Sequence, residues 1–395
     1  MITLIDCNNF WSPSGGGVRR YHLQKLEWFA SRNDVFYVFV MHDSKTWTEV
    51  INDTTIIEHI KVFKIPGNWQ YRFLTRAKPL KKIFEKYRPD VVETGSPYIM
   101  PWLVDRALRQ CHLNSVHIGF WHADYPVTYI YRGVHKLFPS LATRAERLAW
   151  AYSRKTHGTM DGVFASSDSV IAGLVKNGHH ALYKVPLGVD SELFNPNKFD
   201  AKKQAMLKAG CDERLTLFFP HRFSEEKGVR TLLKAYPLIC KALKYPPAIV
   251  FVGTGPDLEK VEKAAQDYEH IHYLGFISDK QEMASWYASC ELGLALSGWE
   301  TFGLSIVEAM ASGQALIGAD RGAAREHILD SGCGLVIPPE SPEALCSALL
   351  ELSQTIRSID YGVKARNYAQ KLSWNNCFSL ELKNYNDIIA KRNSL

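Results

Sequence analysis

The amino-acid sequence predicts an α/β protein of two Rossmann-like, doubly wound domains that face each other across a cleft. Apolar runs of strand length alternate with segments of helical period nearly throughout, as in βαβ units and parallel sheets. The alternation falls into two separate series. A length of 395 residues suits two such domains of roughly two hundred residues each, with ample core to bury.

The first series places strands at residues 2–6, 35–41, 90–93, 115–120 and 162–166, with helices such as 18–30 and 141–155 between them. It ends near Leu187-Gly188-Val189-Asp190, followed by Phe194-Asn195-Pro196, a crossing punctuated by Gly, Asn and Pro. The second series places strands at 215–219, 248–252, 271–274, 292–296, 315–318 and 334–337, each followed by a loop and a helix. Residues 1–188 are thus expected to form the N-terminal domain, 189–208 a linker and 209–375 the C-terminal domain. A last helix within 376–395 is expected to return to the first domain. Doubly wound sheets hold ligands at the carboxyl ends of their strands, so the expected site is the cleft between the domains.

With 46% apolar and 22% charged residues, the composition is that of a soluble globular protein. No window approaches the roughly 18 to 20 uninterrupted apolar residues of a membrane span, and the N-terminus runs directly into a strand. The expected address is cytoplasmic, peripheral on the inner face of the cell membrane. The eight cysteines are scattered without CxxC pairs or metal-ligand spacing, which suits reduced, mostly buried thiols. The net charge of +6 is uneven: residues 1–185 hold 24 Lys and Arg against 15 Asp and Glu, and the remainder 23 against 26. The basic half is expected to meet something anionic; a solvated charged face is the alternative.

Residues 297–313 are the most informative stretch. After a buried strand, Ser297-Gly298-Trp299-Glu300-Thr301-Phe302-Gly303 turns into a helix that carries Glu308. Free N–H groups at the start of that helix, at 302–305, can hold a diphosphate. Glu308, eight positions after Glu300, lies more than one turn inside the helix, a separation that suits an extended ligand such as a nucleotide sugar. In the alternative reading Glu300 complements the helix dipole and Glu308 is a solvated helix residue. The run from Glu300 to Gly313 resembles the E-x7-E segment of the family-four retaining glycosyltransferases, whose two-domain fold is called GT-B. The resemblance implies that Glu300 meets the donor hexose and Glu308 the ribose. It also implies a donor-binding turn of Thr301, Phe302, Gly303 and Leu304, with the amides at 302–304 facing the diphosphate.

A second segment, Phe219-Pro220-His221-Arg222-Phe223-Ser224-Glu225-Glu226-Lys227-Gly228, follows a strand and precedes a helix. An Arg five residues before a Lys-Gly supplies two cations able to neutralise a departing diphosphate. Arg222 and Lys227 are the expected leaving-group pair, and an exposed charged turn is the alternative. The family pattern is G-R-x-x-x-x-K-G, with His221 standing where glycine is usual. Gly15-Gly16-Gly17, after the first strand, permits close backbone approach and opens a helix. Lacking the third glycine, it is not a dinucleotide fingerprint. It resembles the first loop of the family's acceptor-side domain, which implies that Gly16 and Gly17 close on the donor phosphate.

Phe120-Trp121-His122-Ala123-Asp124-Tyr125-Pro126 ends a strand of the first series. A lone His at a strand end is more often structural. The stretch is similar to the H-x-D-x-P loop of lipid-directed and mannosyl-transferring members, which implies His122 near the sugar and Asp124 and Tyr125 near the acceptor. Val252-Gly253-Thr254-Gly255-Pro256 ends a strand in a bulk-free turn, and Gly275-Phe276-Ile277-Ser278-Asp279 follows the next strand. The resemblance puts Gly253 at the nucleotide and Ile277 beside its base.

No Asp-x-Asp occurs in the chain. Arg222, Lys227 and helix amides are therefore expected to do the neutralising, with no metal and no cofactor, the nucleotide sugar being a co-substrate. The reading is a retaining, metal-independent transfer of a hexose from a UDP- or GDP-linked sugar to a lipid or glycan acceptor, with His122, Glu300, Arg222 and Lys227 catalytic. Residues 69–88 mix seven cations with large apolar side chains, and a second basic and aromatic stretch spans 129–157. Both are expected on an anionic membrane surface. The alternative for the first is an ordinary helix packing Ile83, Phe84 and Tyr87 inward. No recognition helix or single-strand module is present, so nucleic acid is not an expected partner. Rival readings are a sugar-phosphate synthase or epimerase of the same fold, and a catalytically silent membrane-binding scaffold. A scaffold has no need of Glu300, Glu308, Arg222 and Lys227.

Overall fold

The computed structural model describes every residue except 10, 12–15, 66–67, 357–358 and 395, with backbone alone at 65 and 68–71. The chain divides into two compact units, Met1–Pro186 with Trp374–Leu395, and Leu187–Ser373. Among the described residues no helix is long and apolar enough to cross a membrane.

The first unit contains strands β1 (Ile2–Cys7), β2 (Val35–Asp43), β3 (Trp47–Asn52) and β4 (Thr55–Lys61). A short hairpin, β5 (Lys64–Ile65) and β6 (Asn68–Arg72), stands apart from the main sheet. Then follow β7 (Val91–Thr94), β8 (Val116–Trp121), β9 (Gly162–Ala165) and β10 (Leu182–Lys184). The eight-stranded sheet has the order β10-β9-β8-β7-β1-β2-β4-β3. Pairing is parallel except between β3 and β4. The chain winds outward from β1 through β2 and returns to the other side of β1 at β7, so the switch point lies between β1 and β7. β7, β8 and β9 are buried along their whole length, as parallel strands covered on both faces must be.

Neither β3 nor β4 was among the expected strands. β3 is an edge strand exposed along most of its length, so it has no apolar run to read. β4 is buried but carries Glu58 and His59, which break its apolar run. Thr48 donates to Glu58 at 3.0 Å, and Trp47 stacks on His59 with ring centroids 3.9 Å apart. These polar contacts across the pair stand in for the missing apolar pattern.

For the basic segment at 69–88 the structure supports the inward-packing alternative over residues 78–87. Its helix, Lys78–Tyr87, buries Leu80, Ile83 and Phe84 in the core formed with Val38, Val40, Ile56 and Ile60. Those side chains cannot also face lipid. Trp69 and Tyr71 of the same segment lie outside the described side chains.

The last helix, Trp374–Asn393, belongs to the first unit. Its buried residues Trp374, Cys377, Phe378, Glu381, Tyr385 and Ile388 recur at helical spacing along one face.

The second unit has six parallel strands: β11 (Thr216–Pro220), β12 (Ala248–Val252), β13 (Ile271–Tyr273), β14 (Leu292–Ala295), β15 (Ala315–Ala319) and β16 (Gly334–Ile337). Their order is β13-β12-β11-β14-β15-β16. The chain leaves β11 toward β13, then restarts on the other side of β11 with β14. The switch point therefore lies between β11 and β14, which are paired at Leu217 with Leu292 and Phe218 with Gly293.

Candidate functional site

The predicted residues of the second unit gather at this switch point. β11 runs into the loop at 221–224, a short 3-10 turn Glu225–Lys227, and Gly228, which opens the helix Val229–Ala242. β14 runs into the loop at 296–303, which opens the helix Leu304–Ala311. Because the two strands are neighbours, their carboxyl-end loops meet, and Lys227 donates through Nζ to Oε1 of Glu300. Burial pushes the Glu300 carboxyl upward, but the Lys227 ammonium outweighs it and the group is held below the usual glutamate value. His221, packed behind the pair, donates through Nε2 to the Leu294 carbonyl at 3.0 Å. Burial, with the Lys227 charge added, drops the His221 imidazole to about 4, so it is neutral near pH 7.

Arg222 is exposed at the mouth of the same loop, and among the described residues no ion pair engages it. Gly303 precedes the helix at φ +81°, a left-handed conformation in which a Cβ would also press on Ile306. That conformation turns Leu304 and Ser305 into the first helical turn, whose amides have no intrahelical acceptor. The loop is braced from behind, because His327 Nε2 meets the Phe302 carbonyl at 2.8 Å and the Ala323 amide donates to the Glu300 carbonyl at 3.2 Å. Thr301 is half-buried in this turn and Phe302 is buried beneath it. Glu308, inside the helix, is buried and receives a hydrogen bond from the Tyr287 hydroxyl at 3.1 Å.

Gly253 and Ile277 follow the same pattern on the neighbouring strands β12 and β13. The Gly253 amide donates to the Gly275 carbonyl at 2.9 Å, tying the two loops together. At φ +137°, a Cβ on Gly253 would collide with the His221 carbonyl oxygen, so glycine is required there by backbone packing. Ile277 is half-buried in a loop whose Phe276 is exposed.

In the first unit, Gly16 caps the helix Gly17–Ala30, and a Cβ at Gly16 would meet nothing within 4 Å. Gly15 lies outside the described residues. This helix start follows β1 and sits at the β1–β7 switch point. His122, at the end of β8, stacks on Phe120 at 4.2 Å and meets the edge of Tyr21 at 4.8 Å. Burial, with His22 adding repulsion, holds its imidazole well below the usual value and hence neutral. Asp124 and Tyr125 lead into a π-helical turn, Pro126–Tyr131. Asp124 is half-buried, but Tyr125 is buried: it packs on Tyr98 and Trp121, and its hydroxyl donates to the Ala149 carbonyl at 3.3 Å. Tyr125 thus anchors the turn from below.

Residues 203–370 match the family described as Glycosyl transferases group 1, and residues 15–193 match Glycosyltransferase Family 4. The chain belongs to these glycosyltransferase families. A GDP-mannose-dependent alpha-(1-6)-phosphatidylinositol dimannoside mannosyltransferase of Mycobacterium tuberculosis is 26% identical, the match covering 88% of this chain and 87% of that protein. A GDP-mannose-dependent alpha-mannosyltransferase of Corynebacterium glutamicum is also 26% identical, over 78% of this chain and 70% of its own. Among solved structures, sucrose-phosphate synthase from Thermosynechococcus elongatus superposes with a TM-score of 0.76 at 19% identity. That match covers 98% of this chain and 99% of the other, and it shows the GT-B fold.

The glycosyltransferase also contains functional-site neighbours that sequence reading did not find. Tyr287, the partner of Glu308, sits on the helix Lys280–Ser289 without any motif around it. Behind His122 lies a buried polar cluster. Lys25 Nζ is 2.7 Å from Glu93, 3.1 Å from Glu381 and 3.5 Å from Asp6. Tyr21 donates to Glu93 at 3.0 Å and Glu381 at 2.9 Å, and Tyr385 donates to both. His22 bridges Asp6 at 3.1 Å and Asn8 at 2.7 Å. The only trace of this in the sequence is Tyr21 and Lys25, four apart on one helix.

Proposed function

We propose that this glycosyltransferase moves a mannosyl group from GDP-mannose to a lipid-linked or glycan acceptor, with retention of configuration and without a metal ion, at an anionic membrane surface. The observation that carries the reading is the meeting of Lys227 and Glu300 at the switch point between β11 and β14. The two GDP-mannose-dependent relatives support the choice of donor. The carboxyl ends of β13, β12, β11 and β14 stand side by side. Three inter-strand steps of about 4.8 Å give roughly 14 Å from the loop of Ile277 to that of Glu300. An extended ligand fits along this row, with its base at Ile277, ribose at Glu308, diphosphate at Arg222, Lys227 and the amides at 302–304, and hexose at Glu300.

In this mechanism the bond from the sugar C1 to the diphosphate oxygen breaks while Arg222, Lys227 and the helix amides stabilise the charge on the leaving group. The acceptor hydroxyl bonds to C1 on the same face, and its proton passes to a diphosphate oxygen. No side-chain nucleophile is required. Neutral His122 is suited to orient a sugar hydroxyl and ill suited to donate a proton at neutral pH.

A donor screen tests the reading. Nucleotide release is measured from GDP-mannose, UDP-glucose, UDP-galactose and UDP-N-acetylglucosamine, with and without a non-phosphorylated acceptor. Acceptor-dependent release from GDP-mannose that Glu300→Ala and Arg222→Ala both abolish is the expected result. Release only with a sugar phosphate as acceptor would favour a synthase. Absence of both release and nucleotide binding would leave a scaffold.

A further inference from the structure

The segment at 126–157 exposes large apolar side chains to an unusual degree. Leu137 is 75% exposed, Leu148 71%, Phe138 59% and Leu141 46%, with Tyr129 and Tyr152 also exposed. Single exposed apolar residues are ordinary; several together mark an interaction surface. On the helix Pro139–His157, Leu141, Leu148 and Tyr152 recur at i, i+7 and i+11, which places them within about 40° of arc at 100° per residue. Ala142, Trp150, Ser153, Thr156 and His157 of the same helix face the core. Leu141 and Leu148 therefore face away from the core, while Tyr152 at the end of the stripe is tied to the unit by its hydroxyl, which donates to the Tyr98 carbonyl at 2.8 Å.

Charge in the segment is predominantly positive. Arg132, Lys136, Arg144, Arg147, Arg154 and Lys155 stand against a single acid, Glu146, which accepts from the Trp150 indole at 3.3 Å. A cationic rim around an exposed apolar stripe complements the headgroup region of an anionic bilayer. The helix Lys78–Tyr87 lacks this combination, because its apolar side chains are committed to the core.

Resting on the acceptor reading above, we infer that the corner made by the helices Arg132–Leu137 and Pro139–His157 docks on an anionic lipid bilayer, with Leu137, Phe138, Leu141 and Leu148 entering the headgroup–acyl boundary. The π-helical turn that begins the segment follows directly from Asp124. Docking this corner holds the His122–Asp124 loop close to the headgroups, so the matching acceptor is an amphiphile whose hydroxyls lie at the bilayer surface.

Flotation of the full chain with phosphatidylcholine vesicles, with and without phosphatidylglycerol, tests the inference. The protein is expected to float with the anionic vesicles only. Leu137→Ser/Phe138→Ser/Leu148→Ser should lower partitioning at least tenfold. Arg144→Gln/Arg147→Gln should lower it by about fivefold per cation removed, with the difference vanishing at high salt. Lys78→Gln/Lys82→Gln should change it less than twofold. Circular dichroism and GDP-mannose binding by calorimetry check that each variant is folded. Absence of flotation by the wild type, or undiminished flotation by the triple variant, overturns the inference. So does a dimer in sedimentation that the triple variant dissociates while no vesicle binding is seen, because the stripe would then pair two copies. Donor binding is read independently: its loss in the wild type defeats the functional reading, whereas lost flotation with intact donor binding defeats only the docking corner.

Discussion

Lys227 and Glu300, 73 residues apart in sequence, share a hydrogen bond between their side chains at the crevice between β11 and β14. The contact keeps Glu300 ionised despite its burial and holds the Lys227 ammonium at the head of the loop that also carries Arg222. A bound diphosphate would compete with Glu300 for the lysine, leaving the carboxylate to the sugar hydroxyls. Glu300→Gln and Lys227→Met are each expected to lower kcat/KM for nucleotide release by about a hundredfold or more. The double variant should be far less impaired than the product of the two, since each single change already breaks the unit. Lys227→Met also removes the charge that depresses the Glu300 carboxyl, so the acid limb of its pH–rate profile should move to higher pH. An unmoved acid limb would show that Glu300 is not the group titrating there.

Tyr287 holds Glu308 through its hydroxyl. If Glu308 receives the ribose hydroxyls, Tyr287→Phe should raise the donor KM severalfold and leave kcat near the wild-type value. The carboxylate remains in place and loses only one fixing hydrogen bond, worth about 1 kcal/mol. Glu308→Gln should raise the donor KM by more. Steady-state kinetics against donor concentration separate the two parameters, and a fall in kcat without a change in KM would place Glu308 elsewhere in the reaction.

The pattern of what the sequence reveals follows the range of the interactions. Glu300, Gly303 and Glu308 lie on one strand–turn–helix unit, and Arg222 and Lys227 on another, so local spacing is enough to single them out. Their meeting requires β14 to return beside β11, a relation between residues 217 and 292 that no window contains. The same limit hides Tyr287, and it hides the cluster in which Lys25 from the first helix meets Glu381 from the last. The burial of Tyr125 is equally hidden, because its position beside Asp124 says nothing of Tyr98, Trp121 and Ala149, which surround it. The helix Lys78–Tyr87 was ambiguous because cations spaced around an apolar stripe describe both a lipid-facing helix and an ordinary covering helix. Only the burial of Leu80, Ile83 and Phe84 separates them.

In the proposed mechanism Arg222, Lys227 and the amides at the start of the helix Leu304–Ala311 neutralise the leaving group without a divalent cation. Rates measured in excess EDTA should equal those in magnesium within about twofold, whereas Arg222→Ala should cost about a hundredfold. A large loss in EDTA that magnesium or manganese restores would require carboxylates to hold a metal on the diphosphate and would overturn this assignment.

The cluster around Lys25 gives the first unit its own pH dependence. Lys25 faces Glu93, Glu381 and Asp6, with Tyr21, Tyr385 and Cys377 completing the surroundings of Glu381. Burial raises the Glu381 carboxyl from its ordinary 4.5 to about 7, opposed by Lys25 and reinforced by Glu93. A carboxyl raised on folding stabilises the native state fully below its unfolded value, and that contribution is lost as pH rises through the folded value. The relevant window is thus pH 4.5 to about 7, in which unfolding releases a proton from this group. His42 and His179, lowered to about 4 by burial, act with the opposite sign: their contribution is present above pH 6.5 and lost as pH falls toward 4. The clean measurement is therefore a difference. Urea midpoints for the wild type and Glu381→Gln across pH 5 to 8 should show the variant gaining on the wild type as pH rises, because glutamine is never ionised. Lys25→Met should instead destabilise at every pH, by about 3 to 5 kcal/mol, since it leaves three buried carboxyls without their cation. Parallel midpoints for the wild type and Glu381→Gln would show that Glu381 does not change protonation on unfolding in this range.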